Sequence, residues 1–152
     1  MTFTIDANIL VFAADSSSPR QQRARQLLDW VAAGPRVVHL FWPTLLGFLR
    51  IVTHPSIFAE PLRTEAAAAA VERLIARPHV RVGGELEDFW SDYRRVADDV
   101  KPRGNLVPDA HLVALMRQHG VPTIWSHDRD FRKFSGVTVK DPFDQRYATG
   151  FE

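Results

Sequence analysis

The chain has no cysteine among its 152 residues, which excludes a disulfide scaffold, a thiolate zinc site and a cysteine nucleophile. Carboxylates, histidines and hydroxyls are left as catalytic groups. A charge excess of either sign is also missing: 19 Lys+Arg against 18 Asp+Glu give a net charge of +1. A generally basic protein that coats nucleic acid is therefore disfavoured, and a polyanion would have to be handled locally. No stretch approaches the ~20 apolar residues of a membrane span. The start, Met1 to Asp6, lacks the basic and long apolar segments of a signal peptide, so a cytoplasmic protein without a membrane partner is expected. P-loop, G-x-G-x-x-G and G-x-S-x-G patterns are absent too. A chain this long buries roughly 70% of its unfolded surface, enough for one domain over residues 1–152. One bias stands out: 12 of the 18 acids are Asp, although Glu is the better helix former.

Hydrophobic periodicity organises the chain into alternating strands and helices. Strands are expected at Thr2–Ile5, Val37–Phe41, Val80–Val82, Thr123–Ser126 and Val137–Val139. A helical turn follows Asp6, with Asn8 available to hold it. Further helices are expected from Pro19 to Ala33, from Pro43 to about Thr53, and from a cap at Thr64 to about Ala76. Another runs from Glu85 to Val100, with Leu86, Phe89, Trp90, Tyr93 and Val96 on one side, and a last one runs from an Asn105 cap to His119. Neither repeats nor a dividing linker interrupt this order. It is the pattern of an α/β fold with a mostly parallel sheet, in which ligands bind outside the carboxyl ends of the strands.

That rule gives the acids a meaning. Asp6 directly follows the first strand, Asp128 follows the fourth within two residues, and Asp109 lies near the start of the helix preceding it. Three carboxylates on one crevice repel one another, and a hard divalent cation such as Mg²⁺ or Mn²⁺ resolves the repulsion. Taken singly, each acid has a blander reading. An Asp at a strand end is more often a turn residue, Asp109 is more often a first-turn carboxylate favoured by the helix dipole, and Asp128 and Asp130 are more often caps of a short helical turn. His111 and His127 neighbour the acids without forming an H-x-x-x-H pair, and Ser126 lacks a nucleophile elbow. Trp90 and Tyr93 read as core or interface before they read as a base-stacking platform. Arg20, Arg23 and Arg25, then Arg129, Arg132 and Lys133, flank the acids as either solvated faces or phosphate contacts.

Four segments in this order, Ile5-Asp6-Ala7-Asn8-Ile9-Leu10, Phe48-Leu49-Arg50-Ile51-Val52-Thr53-His54-Pro55, Val107-Pro108-Asp109-Ala110-His111-Leu112 and Ser126-His127-Asp128-Arg129-Asp130-Phe131, resemble the PIN-domain ribonucleases, specifically the VapC toxins of bacterial toxin–antitoxin pairs. The resemblance covers essentially the whole chain. It implies a three-layer α/β/α sandwich and a pocket that binds Mg²⁺ or Mn²⁺ and cleaves RNA, commonly tRNA or ribosomal RNA. Carried over by position, Asp6, Asp109 and Asp128 are the metal-binding and catalytic acids, with Asp130 beside them. One position departs: many relatives have Glu where this chain has Gly47. That places a second metal site in question and leaves Asp130 to compensate, or a single ion to suffice; close packing or room in the pocket would explain the glycine.

The resemblance also implies a cognate antitoxin with a segment seated in an apolar groove, and a homodimer of the toxin. Phe58, Trp90 and Tyr93 are candidate groove or interface residues, although core is the commoner place for any one of them, and Asn8, Arg129, Arg132 and Lys133 are candidate substrate contacts. Two other readings compete. A metal-dependent phosphatase is disfavoured because Asp6-Ala7-Asn8 is not a nucleophilic D-x-D, and a catalytically impaired RNA- or protein-binding module would make Gly47 the mark of a degraded site.

Overall fold

A computed structural model describes residues 2–152. Five short strands, β1 (Phe3–Ile5), β2 (Val38–Phe41), β3 (Val80–Gly83), β4 (Thr123–Trp125) and β5 (Thr138–Lys140), form one sheet in the order β3-β2-β1-β4-β5. Every pairing is parallel. The intervening helices are α1 (Ala7–Ala14), α2 (Gln21–Ala33), α3 (Trp42–Val52), α4 (Thr64–Ile75), α5 (Phe89–Val100) and α6 (Leu106–Gln118). The chain winds outward from β1 through β2 to β3, then returns to the other side of β1 through β4. The strand order therefore reverses between β1 and β4, the place where parallel sheets open a ligand crevice.

Side-chain alternation along the strands sends residues into two cores. Phe3, Ile5, Val38, Leu40 and Trp125 pack with α1, α2, α3 and α4 on one face. Phe41 and Ile124 pack with α6, with Val96 of α5, and with Phe131 and Phe134 on the other. This is the expected α/β/α sandwich. An aromatic group closes the first core: Trp125 lies edge-on to Tyr147 and Phe151, at centroid distances of 4.9 and 5.6 Å, and Trp30 meets Trp125 at 5.9 Å. Each such pair adds about 0.5–1.5 kcal/mol beyond area burial.

Several local expectations are corrected. The helix expected from Glu85 begins at Phe89, because Asp88 at its start adopts a left-handed backbone (φ 60°) that a continuous helix cannot include. Leu86 and Trp90 consequently stand exposed at 50% and 67%, and of the apolar side assigned to that helix only Val96 is fully buried. Thr64 is the first residue of α4, which is preceded by Arg63, and Asn105 precedes α6 without a side-chain capping bond. Phe58, by contrast, lies in the core, the commoner place for such a residue.

The carboxyl end of α5 supplies a test. Lys101 ends the helix in a left-handed conformation (φ 55°), donating its backbone N–H to Ala97 O at 2.7 Å. A β-carbon there costs roughly 1–2 kcal/mol that glycine avoids. Lys101→Gly is expected to stabilise the protein by about 1 kcal/mol, raising the thermal midpoint by roughly 2–4 °C in a scanning unfolding experiment; an unchanged or lower midpoint would contradict this reading of the helix end.

Candidate metal centre

β1 and β4 run side by side in register, with Ile5 opposite Trp125. Their next residues therefore emerge together at the carboxyl edge of the sheet, where Asp6 donates its backbone N–H to Trp125 O at 2.9 Å. Ser126, just beyond β4, is buried and organises the edge. Its hydroxyl donates to Asp6 Oδ2 at 2.7 Å and accepts the backbone N–H of Asp128 at 2.9 Å. Asn8, in the first turn of α1, donates weakly to the Ser126 hydroxyl oxygen at 3.5 Å, and its own Oδ1 is buried without a partner.

Beyond Ser126 the chain enters a short 3₁₀ turn, Arg129–Lys133. Asp128 caps it, accepting the N–H of Asp130 on Oδ1 at 2.9 Å, as the plain capping role of an Asp at this position requires. That bond fixes the Asp128 carboxylate at the start of the turn. Carboxylate oxygens of Asp109, Asp128 and Asp130 lie within 4.8 Å of one another, all three half-buried. Asp6 stands next to this group, near enough for its charge to act on Asp109 and for the charge of Asp128 to act on it.

The electrostatics follow from that crowding. Burial raises the Asp6 carboxyl above its ordinary value and the charge of Asp128 adds to the rise, while the Ser126 hydroxyl and the N–H groups of Ala7 and Asn8 oppose it. Asp109 is pushed up to about 7, first by burial and then by Asp128, Asp6 and Asp130, with Lys133 acting against. The residues fit a divalent cation. They offer hard oxygen donors, a mutual repulsion that only positive charge relieves, and in Asn8 an oxygen left without a donor.

The remaining candidates separate. Lys133 pairs with Asp130 at 3.1 Å, while Arg129 and Arg132 project into solvent from the same turn. His111 and His127 turn away from the acids, His111 to Glu85 at 2.6 Å and His127 to Asp141 at 2.8 Å. Arg23 and Arg25 are committed to backbone oxygens, of Pro142 at 3.0 Å and Ala13 at 2.9 Å. A β-carbon on Gly47 would meet nothing within 4 Å, so close packing is not the reason for this glycine. Sequence reasoning missed Ser126. The available signal was its position, the first residue after a central strand and two before Asp128, rather than any nucleophile motif.

Comparison with known proteins places this geometry. The PIN domain profile matches residues 3–137. The chain is 57% identical over 143 residues to ribonuclease VapC48 of Mycobacterium tuberculosis, covering 94% of this chain and 99% of that one. It superposes with a TM-score of 0.65 on VapC20 of Mycobacterium tuberculosis, described as a sarcin–ricin loop cleaving toxin, at 22% identity over 90% of this chain and 98% of that one. VapBC2 of Rickettsia felis, solved with a fragment of promoter DNA, gives a TM-score of 0.67 at 12% identity, covering 93% and 98%.

The crowded carboxylates make a pH prediction. The folded Asp109 holds its proton up to about 7, whereas the unfolded side chain releases it near 3.8, so between those values the native state binds more protons and stability falls as pH rises. Metal-free protein is expected to melt lower at pH 8 than at pH 5.5. Asp109→Asn is expected to remove most of that difference, worth about 1 kcal/mol for a carboxyl half in solvent, and Mn²⁺ at pH 8 to restore the midpoint of the native protein alone. Thermal unfolding at the two pH values decides it; equal midpoints would disprove the crowding.

Proposed function

The chain belongs to the PIN-domain family and is a ribonuclease of the VapC toxin type; from that premise we propose that it hydrolyses RNA phosphodiesters at Asp6, Asp109, Asp128 and Asp130 with Mg²⁺ or Mn²⁺ as its cation. The observation that carries this reading is the cluster of Asp109, Asp128 and Asp130 oxygens within 4.8 Å at the point where the strand order reverses, with Asp6 beside it.

A bound divalent cation supplies Lewis-acid polarisation of a phosphoryl oxygen and a more acidic water. The protein's own share begins with Asp6, fixed by the Ser126 hydroxyl, and Asp128, fixed by the turn it caps, which hold their oxygens on the crevice. Asp109, in the first turn of α6, completes the group of oxygens with Asp128 and Asp130, and Asp109 or Asp128 orients the attacking water. Attack on phosphorus with the 3′ oxygen leaving gives 5′-phosphate and 3′-hydroxyl ends and does not use the 2′-hydroxyl. With no carboxylate at Gly47, Asp130 supplies a further acid beside Asp109 and Asp128, or a single ion suffices. A catalytically impaired binding module, for which Gly47 is the one favourable feature, shares every other observation, and the cleavage assay below decides between them.

The partner is a cognate antitoxin, and we assign its segment to an apolar cleft of about 680 Å³ between α1, α2, α3 and α4. Leu10, Leu28, Phe48 and Leu74 line it, and Arg25, Arg73 and Arg77 outnumber the one carboxylate there, Asp29, so the seated segment should be apolar with acidic flanks. Phe58, Trp90 and Tyr93 are not among its lining residues. A homodimer belongs to the same proposal, with exposed Leu86 and Trp90 as its candidate contacts.

Purified antitoxin-free protein is expected to cleave structured RNA with Mg²⁺ or Mn²⁺ and to stop in chelator. Asp6→Asn, Asp109→Asn and Asp128→Asn should each lose about 10²–10⁴-fold in rate while keeping a native circular dichroism spectrum. Full activity in any of them, or cyclic phosphate ends, would refute the mechanism. Separately, Arg129→Ala and Arg132→Ala should each reduce the log–log salt slope of RNA binding by about 0.7; a slope identical to wild type would remove these arginines from the interface.

A further inference from the structure

Next to the acids, on the side facing α1 and α2, lies a group of rings with no part in the site as described. His127 immediately precedes Asp128, and its ring meets Phe143 edge-on at 5.0 Å and Phe12 at 6.1 Å. Phe12 and Phe143 pack edge-to-face at 5.5 Å. The Asp141 carboxylate fixes the imidazole through Nδ1 and accepts the backbone N–H of Phe143 at 2.9 Å, so one acid locks two of the three rings. All three rings remain partly exposed. Above them the Arg20 guanidinium, itself exposed, lies 5.5 Å from the centre of Phe12 and 5.7 Å from that of Phe143. Phe143 continues into a second cavity of about 330 Å³, lined also by Arg23, Gln26, Asp144 and Gln145. Arg23 bonds through Nε and Nη1 and leaves Nη2 buried without a partner.

A buried guanidinium N–H with no acceptor costs free energy unless a ligand or water completes it. The Arg20 guanidinium rests beside these rings and is exposed, so it remains open to a planar group. Bases of single-stranded RNA stack on such faces, and a neighbouring phosphate meets the positive charge. The two carboxylates nearby are already engaged: Asp141 by His127, and Asp144 by Arg146 at 3.5 Å, with Arg146 and Arg132 holding its carboxyl below the usual range. Arg132 thus links this region to the turn that carries Asp128 and Asp130. By contrast, exposed Trp90 and half-buried Tyr93 on α5 stand among Glu87, Asp88 and Asp92, where an RNA strand would be repelled.

We propose that Arg20, supported on Phe12 and Phe143 and continued by the Arg23 cavity, forms a subsite that takes a nucleotide flanking the scissile phosphate, its base stacked on the guanidinium and its phosphate beside the positive charge. The proposal rests on the ribonuclease reading for its ligand, and its test reads binding rather than cleavage. In the Asp6→Asn background, the affinity for a fluorescent single-stranded RNA 12-mer is measured by anisotropy at fixed salt, with Arg20→Ala, Phe143→Leu and, as a control, Arg94→Ala on α5. Arg20→Ala is expected to weaken binding about tenfold and Phe143→Leu several-fold, while Arg94→Ala, which removes the same charge elsewhere, changes it less than twofold. Arg20 is exposed, so its loss should leave the thermal midpoint in place, and that is measured alongside. Equal effects of Arg20→Ala and Arg94→Ala would reduce the subsite to general charge, and an unchanged affinity in Arg20→Ala would overturn it. Either result leaves the ribonuclease reading intact if the unsubstituted chain still cleaves RNA. If that chain binds RNA through Arg20 but never cleaves it, the subsite stands and the nuclease reading falls.

Discussion

Four carboxylates held on one edge of a parallel sheet are the constraint on which the rest of this protein depends. Left to itself such a cluster would disperse or protonate, since like charges at a few ångströms repel and burial adds a desolvation cost. Here the backbone holds it. The parallel register of β1 and β4 brings Asp6 beside Ser126, and the Ser126 hydroxyl binds the Asp6 carboxylate while receiving the Asp128 amide. One buried hydroxyl thus joins the ends of two strands and sets the start of the 3₁₀ turn that carries Asp128 and Asp130. Burial and the neighbouring charges of Asp128, Asp6 and Asp130 raise the Asp109 carboxyl, and such a group of hard oxygen donors suits a divalent cation.

Such a site needs a stiff support, and the two cores provide it. The central strands are covered on both faces, by α1 to α4 on one side and by α6 with α5 on the other. Trp125 is almost completely buried among Trp30, Tyr147 and Phe151 immediately before the site. Interiors packed at crystal-like density have low compressibility, which gives the carboxylates a stiff support.

Charge segregation resolves the apparent neutrality of the chain. The total of +1 averages an acidic crevice and basic side chains placed around it. Arg129 and Arg132 project from the site's own turn, Arg20 lies on the rings beside it, and Arg25, Arg73 and Arg77 stand around a separate apolar cleft on the α1 to α4 face. A polyanionic substrate and an apolar, acidic protein segment can therefore be recognised on different surfaces of one small fold.

Much of this was legible in the sequence. Period-two and period-3.6 patterns marked every strand and helix to within a few residues, because burial on a sheet face or a helix stripe is a local requirement. The Asp positions at strand ends, read with the rule for parallel sheets, located the crevice. What the sequence left open depended on contacts between distant segments. Asp88 and Lys101 take left-handed conformations that bound α5, Phe58 is core, and Gly47 faces open space, none of which a local pattern encodes. Ser126 looked dispensable because its partners, Asp6 and Asn8, lie about 120 residues away. The identities and order of the acids were thus determined by the sequence alone, whereas their convergence, the hydroxyl that joins them and the rise in the Asp109 carboxyl were decided by tertiary structure, since Coulomb energy and hydrogen bonding depend on distance in space and not along the chain.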